Sequence, residues 1–374
     1  MIRNRNAIRL LCLFCLLVYP AINANLEAQT IIGQRNDSVS HSLIRHQLGF
    51  DIRPGYIVST HSFLQGDNMQ QKKIDQSLSF HLKYAFRFSK ESNLGRLFPH
   101  TYQGIGVSYH TFFSPVELGN PVSVYAFQGS RIAQLSPRLS LDYEWNFGAS
   151  FGWKKYDELS NPQNVLIGSK INAYINLGFL LNWQVHKYWK LAAGVDLTHF
   201  SNGNTHYPNG GLNVIGGRIG IVRTLDADEA PGPITPRRLF IKPHVSYDLV
   251  IYGATRKRGL VGDDVSSMIP GLFGVAGINF APMYNFNNYF RAGLSADAQY
   301  DESANLKEYR VGKFYSGDLK FHRPPFRKQF AMGLSLRAEL VMPVFSINVG
   351  VGRNLIYSGG DMKGFYQILA LKTY

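Results

Sequence analysis

The segment His199-Phe200-Ser201-Asn202-Gly203-Asn204-Thr205-His206-Tyr207-Pro208-Asn209-Gly210-Gly211-Leu212-Asn213 concentrates groups able to do chemistry. A histidine and a serine two apart on an extended strand project from the same face. That spacing can bring an imidazole near a hydroxyl, which is what an activated serine nucleophile requires. Spacing alone is weak, because His244 and Ser246 share it. Around that second pair, Ile241, Val245, Leu249 and Ile251 form one apolar row. His244 falls in the opposite row with Phe240, Lys242, Ser246 and Asp248, the polar lining expected of a barrel interior. His199 and Ser201 instead continue the apolar row Leu191, Ala193, Val195 and Leu197, while Gly194, Asp196 and Thr198 form the other row. Two polar residues thus end a greasy face. The competing reading is a polar surface loop, since Ser, Asn and Gly also favour turns.

The elements that must position this pair follow from period two. In 77–88, Leu78, Phe80, Leu82, Tyr84, Phe86 and Phe88 share one face, and Ser77, Ser79, His81, Lys83 and Arg87 share the other. Residues 139–153 alternate alike, with Leu139, Leu141, Tyr143, Trp145, Phe147, Phe151 and Trp153 opposed to Ser140, Asp142, Glu144, Asn146 and Ser150. Such alternation predicts strands with one apolar and one wet face. The predicted strands are 46–59, 76–89, 101–113, 119–134, 138–154, 169–186, 189–201, 211–224, 238–253, 270–285, 289–302, 328–342, 344–355 and 364–374. Many are long enough for the roughly 9–11 residues a tilted strand needs to cross a bilayer. An open sheet in lipid leaves edge groups unpaired, so the sheet must close. The expected fold is an all-β, transmembrane antiparallel outer-membrane β-barrel of about 12–14 strands, even-numbered as in bacterial barrels. A soluble β-sandwich is the alternative, disfavoured by strand length. Residues 226–237 are rich in Pro and acidic residues and mark a soft boundary. The strands after it, within 226–374, are expected to extend the same barrel. If the N-terminus starts in the periplasm, the seventh strand ends at the outer rim, beside the head groups of the outer leaflet.

Arg3, Arg5 and Arg9 precede a short apolar run, Leu10 to Ile22, with small residues at Ala21, Ala24 and Ala28. Residues 1–28 therefore read as a secretory signal peptide, followed by an N-terminal segment at 29–45. Both cysteines, Cys12 and Cys15, fall inside the signal, which leaves the mature chain without a disulfide or a cysteine metal site. The formal net charge of +14 suits an anionic lipid surface. Export argues against nucleic acid as the partner. No cofactor or metal is expected: the acids Asp226, Asp228 and Glu229 read as a periplasmic turn rather than a calcium cage. A homo-oligomer stays open.

His-Phe-Ser-Asn-Gly at 199–203, followed by Pro-Asn-Gly-Gly-Leu-Asn at 208–213, resembles the signature of the lipid A 3-O-deacylase (PagL-type) family, whose Bacteroidetes-like relatives are labelled acyloxyacyl hydrolases. Gly119-Asn120-Pro121-Val122-Ser123-Val124-Tyr125-Ala126-Phe127 also resembles a family stretch. The resemblance spans about residues 46–225, a deacylase-like eight-stranded part, and implies an active site on the outer wall near the outer leaflet. It implies that His199 is the general base and Ser201 the nucleophile, with Asn202 and Asn209 stabilising the oxyanion. Lipopolysaccharide or lipid A is the implied substrate. Two departures stand out. Asn213 occupies the place of the family's glutamate; an asparagine can orient an imidazole but cannot neutralise an imidazolium. Residues 226–374 lack a counterpart in the short members. A non-enzymatic outer-membrane channel or binding barrel remains the second reading, since Arg87, Glu144, Arg218, Asp248, Asp297, Arg337 and Glu339 give polar lumen faces that fit either.

Overall fold

A computed structural model of the protein describes residues 44–203, 205–225, 239–261, 266–268, 271–311 and 318–373. The signal at 1–28, most of the segment at 29–45 and the acidic turn at 226–229 lie outside the described residues. Eight antiparallel strands close a first barrel: β1 (Ile44–Ile57), β2 (Gln76–Phe88), β3 (Tyr102–Thr111), β4 (Gly119–Ser136), β5 (Leu139–Trp153), β6 (Ile171–His186), β7 (Trp189–Ser201) and β8 (Leu212–Thr224). The ring closes where β1 meets β8, from Gln47 opposite Thr224 to Ile57 opposite Val214. Alternation dictates the wall. Leu82, Val195, Leu197, Ile215 and Ile219 point outward and are exposed, as lipid-facing side chains must be.

The opposite rows fill the lumen. At mid-height three cations meet three carboxylates. Arg218 lies 2.8 Å from both Asp51 and Glu144, Lys83 lies 3.0 Å from Asp51, and Arg53 lies 3.3 Å from Asp196. Buried charges persist only when paired in this way. Towards the β1 C-terminal end the lumen is plugged by Phe112, Tyr125, Trp153, Tyr174 and Phe200, all nearly or fully buried. Two histidines, His81 and His110, are buried among these rings.

The remaining long strands form a second sheet: β9 (His244–Arg256), β12 (Phe273–Asn285), β13 (Phe290–Asp301), β16 (Phe330–Leu340), β17 (Phe345–Tyr357) and β18 (Phe365–Thr373). Their order is β18-β17-β16-β13-β12-β9. Two short hairpins, β10 (Gly259–Val261) with β11 (Ser266–Met268) and β14 (Lys307–Val311) with β15 (Asp318–His322), stand apart from it. The all-β reading and the long strands hold, but the expectation of one closure around all of them does not. Once β8 has paired with β1, the first ring has no free edge for β9 to join. The second sheet turns its polar face inward, with Arg337–Asp297 at 2.9 Å and Arg291–Glu339 at 2.7 Å. Its two edge strands are bridged by Lys372 and Asp248 at 2.6 Å.

The two sheets touch along one end. The turn after β16 lays Val344 and Phe345 against Ala126 and Trp145 on the outer wall of the barrel. Gln128 and Tyr143 on that wall both donate to the Met342 sulfur. Turns 137–138, 187–188, 286–289 and 341–344 at one end are short, with 89–101 and 225–243 the longer connections there, whereas 58–75, 154–170, 202–211 and 302–329 at the other end are all long. Bacterial barrels carry short periplasmic turns and long external loops. His199 and Ser201 therefore end β7 on the external side.

Candidate active site

Phe200 explains why its neighbours face outward. Its ring is fully buried in the lumen plug, 5.0 Å from Trp153 and 5.2 Å from His110 between centroids. Side chains alternate across a strand, so anchoring Phe200 inside forces His199 and Ser201 onto the outer wall. On β8 the buried Leu212 and Val214 do the same for Asn213. The β7–β8 register sets His199 directly opposite Asn213. Their side chains meet: His199 Nδ1 and Asn213 Oδ1 lie 2.7 Å apart. An amide oxygen only accepts, so Nδ1 carries the proton and Nε2 is left as the basic nitrogen. The Asn213 carbonyl accepts from the Val58 N–H at 2.9 Å, which fixes the backbone beneath the pair.

Gly211 is the residue the spacing argument passed over. Its φ is +71°, in the left-handed region, and a Cβ there would come within 3.0 Å of the imidazole Cε1. Only glycine gives that turn and leaves the ring its place. The signal was present as the Gly-Gly pair, but its purpose depends on the cross-strand approach of His199.

Ser201 is half-buried and faces Ala173 of β6. Among the described residues its hydroxyl has no hydrogen-bond partner, so no hydrogen bond joins it to His199. Below it run Leu197, Val195, Ile215 and Leu177, all exposed. The hydroxyl therefore ends a wall on which an acyl chain can lie.

The two candidate oxyanion residues separate. Asn202 is a brace for its loop. Its Nδ2 donates to the carbonyls of His206 at 2.9 Å and Pro208 at 3.3 Å, and its backbone N–H donates to Asn209 Oδ1 at 2.9 Å. With these donors committed, the role implied for Asn202 in holding an oxyanion gives way to a structural one. Asn209 uses only its oxygen here, which leaves its Nδ2 as the amide donor the loop does not consume. The control pair is also resolved. Ser246 lies on the inner face of the second sheet, where Asn285 donates to it at 2.8 Å and Arg291 at 3.2 Å.

The sequence pattern of the lipid A 3-O-deacylase (PagL) family matches residues 78–222, and that of the acyloxyacyl hydrolase C-terminal domain matches residues 245–374. The chain belongs to the PagL-type deacylase family. Its second sheet, for which the short members offered no counterpart, is thus a family domain in its own right. The protein is accordingly one of the bacterial outer membrane. Comparison with curated proteins finds no match. Among solved structures, the Neisserial surface protein A is 8% identical over 48% of this chain and 97% of its own, with a TM-score of 0.32. An outer-membrane channel from Pseudomonas putida F1 is 8% identical over 90% of this chain and 97% of its own, at 0.22. The translocator domain of the autotransporter NalP from Neisseria meningitidis is 9% identical over 93% of this chain and 92% of its own, at 0.19.

Proposed function

We propose that this PagL-type protein is a serine esterase that removes an ester-linked acyl chain from lipid A or a related lipid of the outer leaflet. The observation that carries the reading is the 2.7 Å pair of His199 and Asn213 beside Ser201, on the lipid-facing wall at the external end. Ser201 Oγ attacks the ester carbonyl carbon while His199 Nε2 takes its proton. Asn213 holds the imidazole in the tautomer that leaves Nε2 free. Asn209 and backbone N–H groups of the loop are the donors for the oxyanion, each worth about 10²–10³ in rate in well-studied hydrolases. The alkoxide leaves with the proton from His199. Water then attacks the acyl-enzyme, with His199 again as base, and a fatty acid is released.

The channel reading needs an open lumen. In the first barrel that space is taken by the ion cluster and the aromatic plug, which supports the hydrolase reading. The test is mass spectrometry of lipid A after incubation with the full chain. Loss of one acyl chain is expected with the unaltered protein and with Ser246→Ala, and none with Ser201→Ala. Equal loss of activity in both variants removes Ser201 from the mechanism.

A further inference from the structure

External to Ser201 lies a cleft of about 520 Å³ that the mechanism does not use. It is assembled from three places in the chain: the β5–β6 loop, the loop after β7, and the residue following β9. Lys155, Lys170 and Lys257 line it together with His206, Asp157 and Glu158. On β6, Ala173 faces Ser201, Ile171 is the next outward residue, and Lys170 follows at the strand end. Ala173 and Lys170 are three residues apart, roughly 10 Å of extended chain, so the cleft begins about that far along the wall from the nucleophile. The loop ties them further: Asn202, adjacent to Ser201, donates to the His206 carbonyl at 2.9 Å.

The charge in the cleft is unbalanced. Among the described residues, none of the three lysines has a carboxylate within ion-pair distance. Asp157 is spent on its own turn, accepting from the N–H groups of Leu159 and Ser160 and from the Ser160 hydroxyl. Those hydrogen bonds do not cancel its charge, so the lining carries three ammonium groups against the two carboxylates of Asp157 and Glu158. Burial, Lys257 and Lys155 together hold His206 below the usual histidine range, as crowding by cations does. Lys257 reaches the cleft because its backbone N–H donates to the Thr205 carbonyl at 2.8 Å. The second sheet thereby docks on the loop that carries Asn202 and Asn209.

We propose that this cleft binds a phosphate monoester on the headgroup of the same lipid whose ester is cleaved, and that Lys257 is a contact the first barrel alone lacks. The proposal rests on the esterase reading for its choice of ligand. Ammonium groups that outnumber the carboxylates and are held in no ion pair among the described residues favour an anionic ligand. Their place above the apolar wall lets one lipid rest its acyl chain beside Ser201 and its phosphate among the lysines. This assigns the C-terminal domain a part in selecting substrate.

The experiment uses the full-length Ser201→Ala chain in nanodiscs and two probes, a phosphorylated diacyl-glucosamine lipid and the same lipid after phosphatase treatment. The phosphorylated form is expected to bind about tenfold more tightly, the scale of a charge-assisted contact. Combining Lys155→Gln, Lys170→Gln and Lys257→Gln should bring that ratio close to one. Lys257→Gln alone should lower it, and Lys90→Gln at the opposite end of the barrel should leave it intact. Heat-dependent gel migration verifies that each variant is folded. Equal binding of the two lipids overturns the proposal. So does a bound phosphate displaced equally well from the variants and the parent by millimolar inorganic phosphate, which places the anion elsewhere. Acyl release by the parent chain judges the esterase separately. Hydrolysis without phosphate preference refutes the cleft, and preference without hydrolysis refutes the esterase while sustaining the cleft.

Discussion

Replacing Asn213 with aspartate tests the catalytic geometry most directly, because the change is isosteric. The Oδ1 that accepts from His199 Nδ1 at 2.7 Å is retained, and a full negative charge is added beside the ring. In the proposed mechanism the imidazole gains a proton as Ser201 attacks, so the added charge stabilises the imidazolium of the transition state. A unit charge pair at 4 Å is worth about 1 kcal/mol in water and about 4 kcal/mol at an effective dielectric of 20. His199 and Asn213 are both half-buried at the rim, which places the gain near the lower figure. Asn213→Asp is therefore expected to raise kcat by about five- to thirtyfold, converting 1–2 kcal/mol at 1.36 kcal/mol per decade. Asn213→Ala removes the acceptor, and a hydrogen bond worth about 1 kcal/mol predicts a fall of roughly fivefold or more. The assay is pre-steady-state release of fatty acid from a lipid in mixed micelles, which isolates acylation. Unchanged kinetics for Asn213→Ala, or slower acylation by Asn213→Asp, would remove Asn213 from the mechanism and leave His199 and Ser201 as a dyad.

Phe200→Ala opens a cavity among Trp153, His110 and Tyr174 and should destabilise the barrel by about 3–5 kcal/mol, read from urea unfolding in micelles. Phe200→Leu should cost less, with acyl release recovering in step. Gly211→Ala meets both a φ of +71° and the His199 ring at 3.0 Å, so activity should fall by at least about tenfold while the heat-modified gel shift persists. In the external loops, burial pushes the Asp361 carboxyl up, but the hydrogen bond from Arg258 at 2.6 Å, the Asn305 N–H at 2.8 Å and nearby cations outweigh it, so its pKa lies below the usual 3.8. A lowered carboxylate stabilises the fold above its unfolded pKa. Protection factors for amide exchange in 358–364, corrected for the intrinsic rate at each pH, should therefore stay high at neutral pH and fall below pH 3.8, as the carboxylate is protonated through its folded pKa. Asp361→Asn should show low protection at both.

Much of this protein was legible from alternation, and the reason is geometric. Strand side chains must point to opposite faces, so the parity of Leu191 through Leu197 already placed His199 and Ser201 on the outer wall, and the parity of Ser246 placed it inside. The same rule located the long strands, because a lipid wall and a wet interior demand opposite chemistry at successive positions. Alternation carries no information about which edges pair. Whether β8 turns back to β1 or passes on to β9 is decided by how far the strands coil and by which backbone rows meet, and this divided the strands into a closed ring of eight and a sheet of six. Site contacts were hidden for a like reason. The His199–Asn213 bond exists because one register out of several aligns them across β7 and β8. Asn202 looked free to hold an oxyanion until the fold of its own loop took up its donors. Lys155, Lys170 and Lys257 are separated along the chain by a strand, a loop and a second sheet, and only the packing of external loops brings their charges into one cleft.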